Sequence, residues 1–90
     1  MLPIRPTNRF KKDLKKAIAQ DRDLTKLKKA LEILSIPEPL PVEFRDHKLK
    51  GEWQDFRECH IEPDWLLIYT IADFELRPAR LGSHSELFNK

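Results

Sequence analysis

Ninety residues carrying 17 lysines and arginines against 15 aspartates and glutamates have a net charge of only +2. One domain spanning residues 1–90 with one modest core is expected, and bulk charge alone does not mark a nucleic-acid binder. A single cysteine, Cys59, excludes an internal disulfide, and no apolar run approaches the ~20 residues of a spanning helix, so a cytoplasmic protein without membrane association is expected.

Residues 2–6 are expected to form a short first strand, held to a sheet edge by Pro3 and Pro6. Thr7 or Asn8 can cap a helix, because its side chain accepts a bond from an orphan backbone N–H. Phe10, Leu14, Ala17 and Ile18 then recur at helical spacing. After a break at residues 20–23, Asp23 can cap a second helix with an apolar stripe of Leu24, Leu27, Leu31 and Leu34. These two segments form a helical hairpin with one apolar seam. Lys11, Lys12, Lys15, Lys16, Lys26, Lys28 and Lys29 cover it. They are equally consistent with a solvated face and with a basic surface for phosphate or an acidic partner.

Pro37, Pro39 and Pro41 end the helical part and impose an extended crossing segment. The periodicity then changes to two. Residues 42–45 can start a strand, and Lys50-Gly51-Glu52 reads as a turn. A strand is expected over 54–61, with Phe56, Glu58 and His60 on one face and Arg57 and Cys59 on the other. Glu62-Pro63-Asp64 turns the chain into the most apolar run, 65–71, a central strand. Residues 72–74 turn again, 75–81 form the last strand, and 85–88 add a helical turn. Short loops force antiparallel pairing. The fold class is therefore α+β: a short N-terminal strand and a helical hairpin packed on one face of a twisted antiparallel sheet, the other face open.

All three histidines, His47, His60 and His84, lie in the strand-rich half. Imidazole exchanges a proton near neutrality. Glu58 shares a strand face with His60, Asp64 follows across a turn, and Arg80 precedes His84 by four residues. A lone histidine is more often a surface or satisfied core residue, so only convergence would make these three a site. No metal site and no cofactor are expected, since the chain has no His-x-x-x-His, no paired cysteines and no compact ligand cluster. Cys59 and His60 point to opposite faces and cannot form a dyad. Trp53, Phe56, Trp65 and Phe88 interleave with Lys48, Lys50, Arg57, Arg77 and Arg80, a pattern that suits base stacking and phosphate binding. The tryptophans also fit a core or an interface, and Trp65, at the start of the apolar strand, fits the core slightly better.

The stretch Asp46-His47-Lys48-Leu49-Lys50-Gly51-Glu52-Trp53 resembles the D-H-x-L-x-G-x-W block of YafQ-like toxins of the RelE superfamily. Residues 57–69, Arg-Glu-Cys-His-Ile-Glu-Pro-Asp-Trp-Leu-Leu-Ile-Tyr, are similar to their R-[DE]-x-H-[IV]-x-P-D-W-[IL]-L-I-Y block, and residues 80–88 to their R-x-G-[ST]-H-x-x-L-F ending. One departure is Pro78, which loses a ladder donor and suggests an edge position or a bulge just before Arg80.

The resemblance implies a RelE-like fold and a toxin that cleaves mRNA on the ribosome, is a monomer alone, and is silenced by an acidic antitoxin. It implies metal-independent acid–base attack of the 2′-hydroxyl on the scissile phosphate. By the same analogy His84 is the general acid and Arg80 the phosphate-holding cation. His47 is the first choice of base, followed by His60, with Asp64 and Glu58 as further catalytic candidates. Phe88 and Trp65 are candidates for stacking on a base, and Lys50 and Arg57 for holding phosphates. The rival expectation is a RelE-fold module that binds an antitoxin or RNA without catalysis, since a fold alone does not decide activity.

Overall fold

The computed structural model describes residues 1–88. Helix α1 (Asn8–Ala19) starts at Thr7, whose hydroxyl accepts from Phe10 N at 3.0 Å and donates to Ala79 O at 2.8 Å, so one side chain both caps the helix and ties it to the sheet. Phe10 and Ala17 are buried, but Ile18 is 57% exposed and drops out of the expected stripe. Helix α2 (Thr25–Ser35) follows Asp23, whose carboxylate accepts from Thr25 N at 2.9 Å and from its hydroxyl at 2.6 Å. It buries Leu27, Ala30 and Leu34. No helix among the described residues is long and apolar enough to cross a membrane.

Four antiparallel strands follow in the order β1 (His47–Lys48), β2 (Arg57–Glu62), β3 (Trp65–Ala72) and β4 (Glu75–Gly82). The helical hairpin covers one face, where Cys59, Ile61, Trp65, Leu67, Tyr69, Leu76 and Leu81 meet Phe10, Ala17, Leu27, Ala30 and Leu34. The other face is not bare, as expected, but carries a second cluster of Leu66, Ile68, Ala79 and Leu87, flanked by Leu49, Trp53, Phe56 and Phe88. Strand β3 is buried from both sides, which is why its sequence is a continuous apolar run rather than an alternation. The β3–β4 turn places Asp73 and Phe74 at φ 51° and 60°, the two positive angles that match the twist of a two-residue hairpin.

The chain also departs from the sequence-based expectation at residues 2–6 and 42–45, and β2 begins at Arg57 rather than at residue 54. Residues 2–6 form no strand but only an isolated parallel bridge, Ile4 with Leu76, bonded through Arg5 N to Leu76 O at 2.8 Å and Leu76 N to Pro3 O at 3.0 Å. Thr7 N reaches Pro78 O at 3.0 Å, but Pro78 has no N–H to return the bond, and the ladder stops there. Residues 42–44 are a 3₁₀ turn rather than a strand, closed by Arg45 in the left-handed region at φ 48°. The bulge suggested by Pro78 lies at Ala79: Tyr69 pairs with Pro78 and Ile68 with Arg80, so Ala79 has no partner in the ladder.

Helix α3 (His84–Phe88) opens with a reciprocal cap in which Glu86 accepts from Ser83 N at 2.9 Å and Ser83 Oγ accepts from Glu86 N at 3.2 Å. Lys16 of α1 also bonds the Glu86 carboxylate. Lys16 first, and then the Ser83 N–H, hold that carboxyl at about 2, well below its usual 4.5. A depressed folded value means that the tether stabilises fully above the unfolded pKa and is lost as pH falls from about 4.5 toward 2. The amides of α3 are therefore expected to lose exchange protection across that window, and Glu86→Gln should lose it already at neutral pH. A Glu86 titration midpoint near 4.5 by NMR would show that the tether does nothing.

Candidate active site

Two strands, one turn and the start of a short helix bring the chemistry together. Glu58 and His60 are two residues apart on β2 and share a face, and the β1–β2 register sets His47 opposite Glu58. His47 Nε2 and His60 Nε2 each lie 3.5 Å from Glu58 Oε1. The Glu58 side chain is only 6% exposed. His47 Nδ1 sits 2.8 Å from the Arg45 carbonyl, which can only accept, so Nδ1 carries a hydrogen and, in the neutral ring, Nε2 holds the lone pair. A lone pair facing a buried carboxylate calls for a proton or a cation between them.

His84, at the start of α3, is fixed differently. Asp64 in the β2–β3 turn accepts from His84 N at 3.0 Å and from His84 Nδ1 at 2.7 Å. These two bonds, the backbone one first, hold the Asp64 carboxyl below its usual range. The ring centroids of His47 and His60 are 6.2 Å apart and those of His60 and His84 5.8 Å apart. The result is a row of three imidazoles whose outer two are each anchored at Nδ1. Such a row can accept a proton at one end and donate one at the other.

The remaining candidates have other partners. Arg80 is bound by Asp13 of α1 through Nε at 2.8 Å and Nη2 at 3.3 Å, and the same carboxylate accepts from Leu81 N at 3.0 Å. Phe88 is half-buried against the second cluster. Lys50 lines a groove with Lys48, Leu49, Gly51 and Gln54 that includes none of the histidines. Arg57 points to the opposite side, where it pairs with Asp46 at 3.2 Å; the cavity of about 500 Å³ beside it also lacks the histidines. The stacking role expected of Trp65 is corrected: at 2% exposure it is a core residue with no face to offer a base. His60 instead lines two small cavities, of about 230 and 260 Å³, with Arg45 at one and Lys26, Lys29 and Phe44 at the other. Nothing in the local sequence links those residues to the histidines.

The expectation of no metal site is also corrected. Ligand atoms of His47, Glu58 and His60 all lie within 4.8 Å of one another. Two imidazole nitrogens and one carboxylate are a donor set suited to zinc or copper. The cluster escaped a search for spaced motifs because strand register, not spacing, brings His47 to it.

Comparison with known proteins places this geometry. Residues 2–89 match the family model described as the YafQ bacterial toxin of type II toxin–antitoxin systems. The chain is 41% identical over 83 residues to the mRNA interferase toxin YafQ of Escherichia coli K12, which covers 91% of this chain and 90% of that protein. A copper-bound mutant toxin from Helicobacter pylori superimposes with a TM-score of 0.95 at 46% identity, covering 98% of this chain and 100% of that one. The toxin in the Escherichia coli DinJ–YafQ complex gives 0.88 at 40% identity, covering 97% of each chain. Together with the His47–Glu58–His60 donor set, the copper-bound relative overturns the expectation of metal independence.

Proposed function

Because this chain belongs to the YafQ family of type II toxins, with the RelE-like fold and the endoribonuclease activity of that family, we propose that its row of imidazoles is where messenger RNA is cut. The supporting observation is the His84–Asp64 pair facing His60, with His60 and His47 converging on Glu58. His84 protonates the departing 5′-oxygen through Nε2, and Asp64 fixes the ring for that task. The His47–Glu58–His60 end activates the 2′-hydroxyl. The N–H groups of Arg80 that Asp13 leaves free hold the phosphate, Phe88 stacks on an adjoining base, and Lys50 attracts the flanking strand; Arg57, paired with Asp46 on the opposite side, takes no part. The same His47, Glu58 and His60 would hold a divalent transition metal, which when bound supplies Lewis-acid polarisation of a phosphate oxygen.

The substrate in the cell is mRNA on the ribosome, and the toxin alone is a monomer. An acidic antitoxin silences it, as the DinJ–YafQ pairing of a 40%-identical relative suggests. Incubating the purified protein with a defined mRNA, with and without ribosomes, and mapping the ends tests this reading. Reactions without ribosomes are repeated after chelation and after adding back copper or zinc. Fragments ending in a 2′,3′-cyclic phosphate or 3′-phosphate are expected. Intact RNA in every arm, with folded protein, would refute the reading.

A further inference from the structure

Most arginines of the sheet half are neutralised. Asp13 holds Arg80, Asp46 holds Arg57, and Asp73 and Glu75 hold Arg77. Arg22, in the α1–α2 connection, is different: among the described residues no carboxylate lies within 4 Å of its guanidinium. Its place is nonetheless defined. Asp21 turns left-handed at φ 58°, Arg22 N bonds back to Ala17 O at 3.1 Å, and the guanidinium carbon lies 4.8 Å from the centroid of the Trp65 ring.

Trp65 follows Asp64, the residue that fixes His84. A cation resting on that ring is therefore one residue along the chain from the carboxylate that fixes the acid end of the imidazole row. The Asp64 carboxyl, lowered chiefly by its bonds from His84, also feels the charge of Arg22. Stacking on an aromatic face fixes a guanidinium while leaving its edge N–H groups free, the arrangement that grips two phosphate oxygens at once. Lys26 and Lys29, next along the chain at the start of α2, line a cavity with His60, Phe44 and Glu43, which leaves it one positive charge in excess.

From this arrangement we infer that Arg22 is a substrate-binding residue that holds an RNA phosphate at the His84 end of the site, with the buried Trp65 as its platform. The inference rests on the RNA-cleaving reading above. It explains why a tryptophan that cannot reach a base belongs beside the site. It also supplies a cation that Arg80, clamped by Asp13, provides only in part.

The test is single-turnover cleavage of mRNA, with protein in excess, on whichever substrate the wild type cuts faster, free or ribosome-bound. Half-saturating concentration and maximal rate are measured for wild type, Arg22→Ala and Arg22→Lys at several salt concentrations, together with melting temperatures. Arg22→Ala should need roughly tenfold more protein for half-saturation, with the maximal rate within about twofold and a salt slope shallower by about 0.7, the value for one lost contact to a single strand. Arg22→Lys should recover part of the binding, since it keeps the charge but not the planar fork. If Arg22→Ala matches wild type in half-saturation and salt slope, or changes only the melting temperature, Arg22 is merely a cover for Trp65 and the inference fails. If the wild type cuts neither substrate, the RNA-cleaving reading fails first.

Discussion

His84→Ala is expected to slow RNA cleavage by at least about a hundredfold, within the ~10²–10⁴ that a positioned general acid supplies. Asp64 anchors the His84 ring at Nδ1, so Nε2 is the nitrogen left to face a substrate. The ring is 49% exposed, so its loss leaves no buried cavity and should barely change stability. Asp64→Asn should act in the same direction but less strongly, because it disturbs the tautomer without removing the acid. Single-turnover rates with a melting curve for each variant decide the matter. Cleavage by His84→Ala within threefold of wild type would remove His84 from the mechanism.

Glu58→Gln should produce the second large effect, on metal affinity. Wild type is expected to bind one copper or zinc ion per chain at His47, Glu58 and His60. Outer partners of metal ligands are typically worth 10–100-fold in affinity, so losing a ligand carboxylate should cost about a hundredfold or more. Calorimetric titration measures this directly. Wild-type metal affinity in Glu58→Gln would place the ion elsewhere.

Parts of this architecture are legible in the residues themselves. The helical hairpin follows from the spacing of Phe10, Leu14 and Ala17 and of Leu27, Leu31 and Leu34, and the central strand from five successive buried residues, Trp65 to Tyr69. The motif blocks around His47, His60 and His84 are local and so were visible. What stayed hidden was created by pairing. A strand of two residues, His47–Lys48, is too short to show any periodicity, yet it delivers the third metal donor. Arg80 meets Asp13 across 67 positions of sequence, and the carboxylate that would reveal its clamped state sits on a different element. Trp65, at the start of the most apolar run, reads slightly better as core than as stacker, and the packing of β3 bears that out, with Arg22 resting above it.

The unfinished ladder beside β4 also bears on solubility. An edge strand with a free row of N–H and C=O groups is a template for another chain, and proteins protect such edges. Here Pro78 withholds one donor, the Ala79 bulge bends the strand, and residues 3–7 occupy Leu76 and the Pro78 carbonyl. A second copy thus finds no straight run of backbone to extend along β4, and the protein is spared polymerising with itself along that edge.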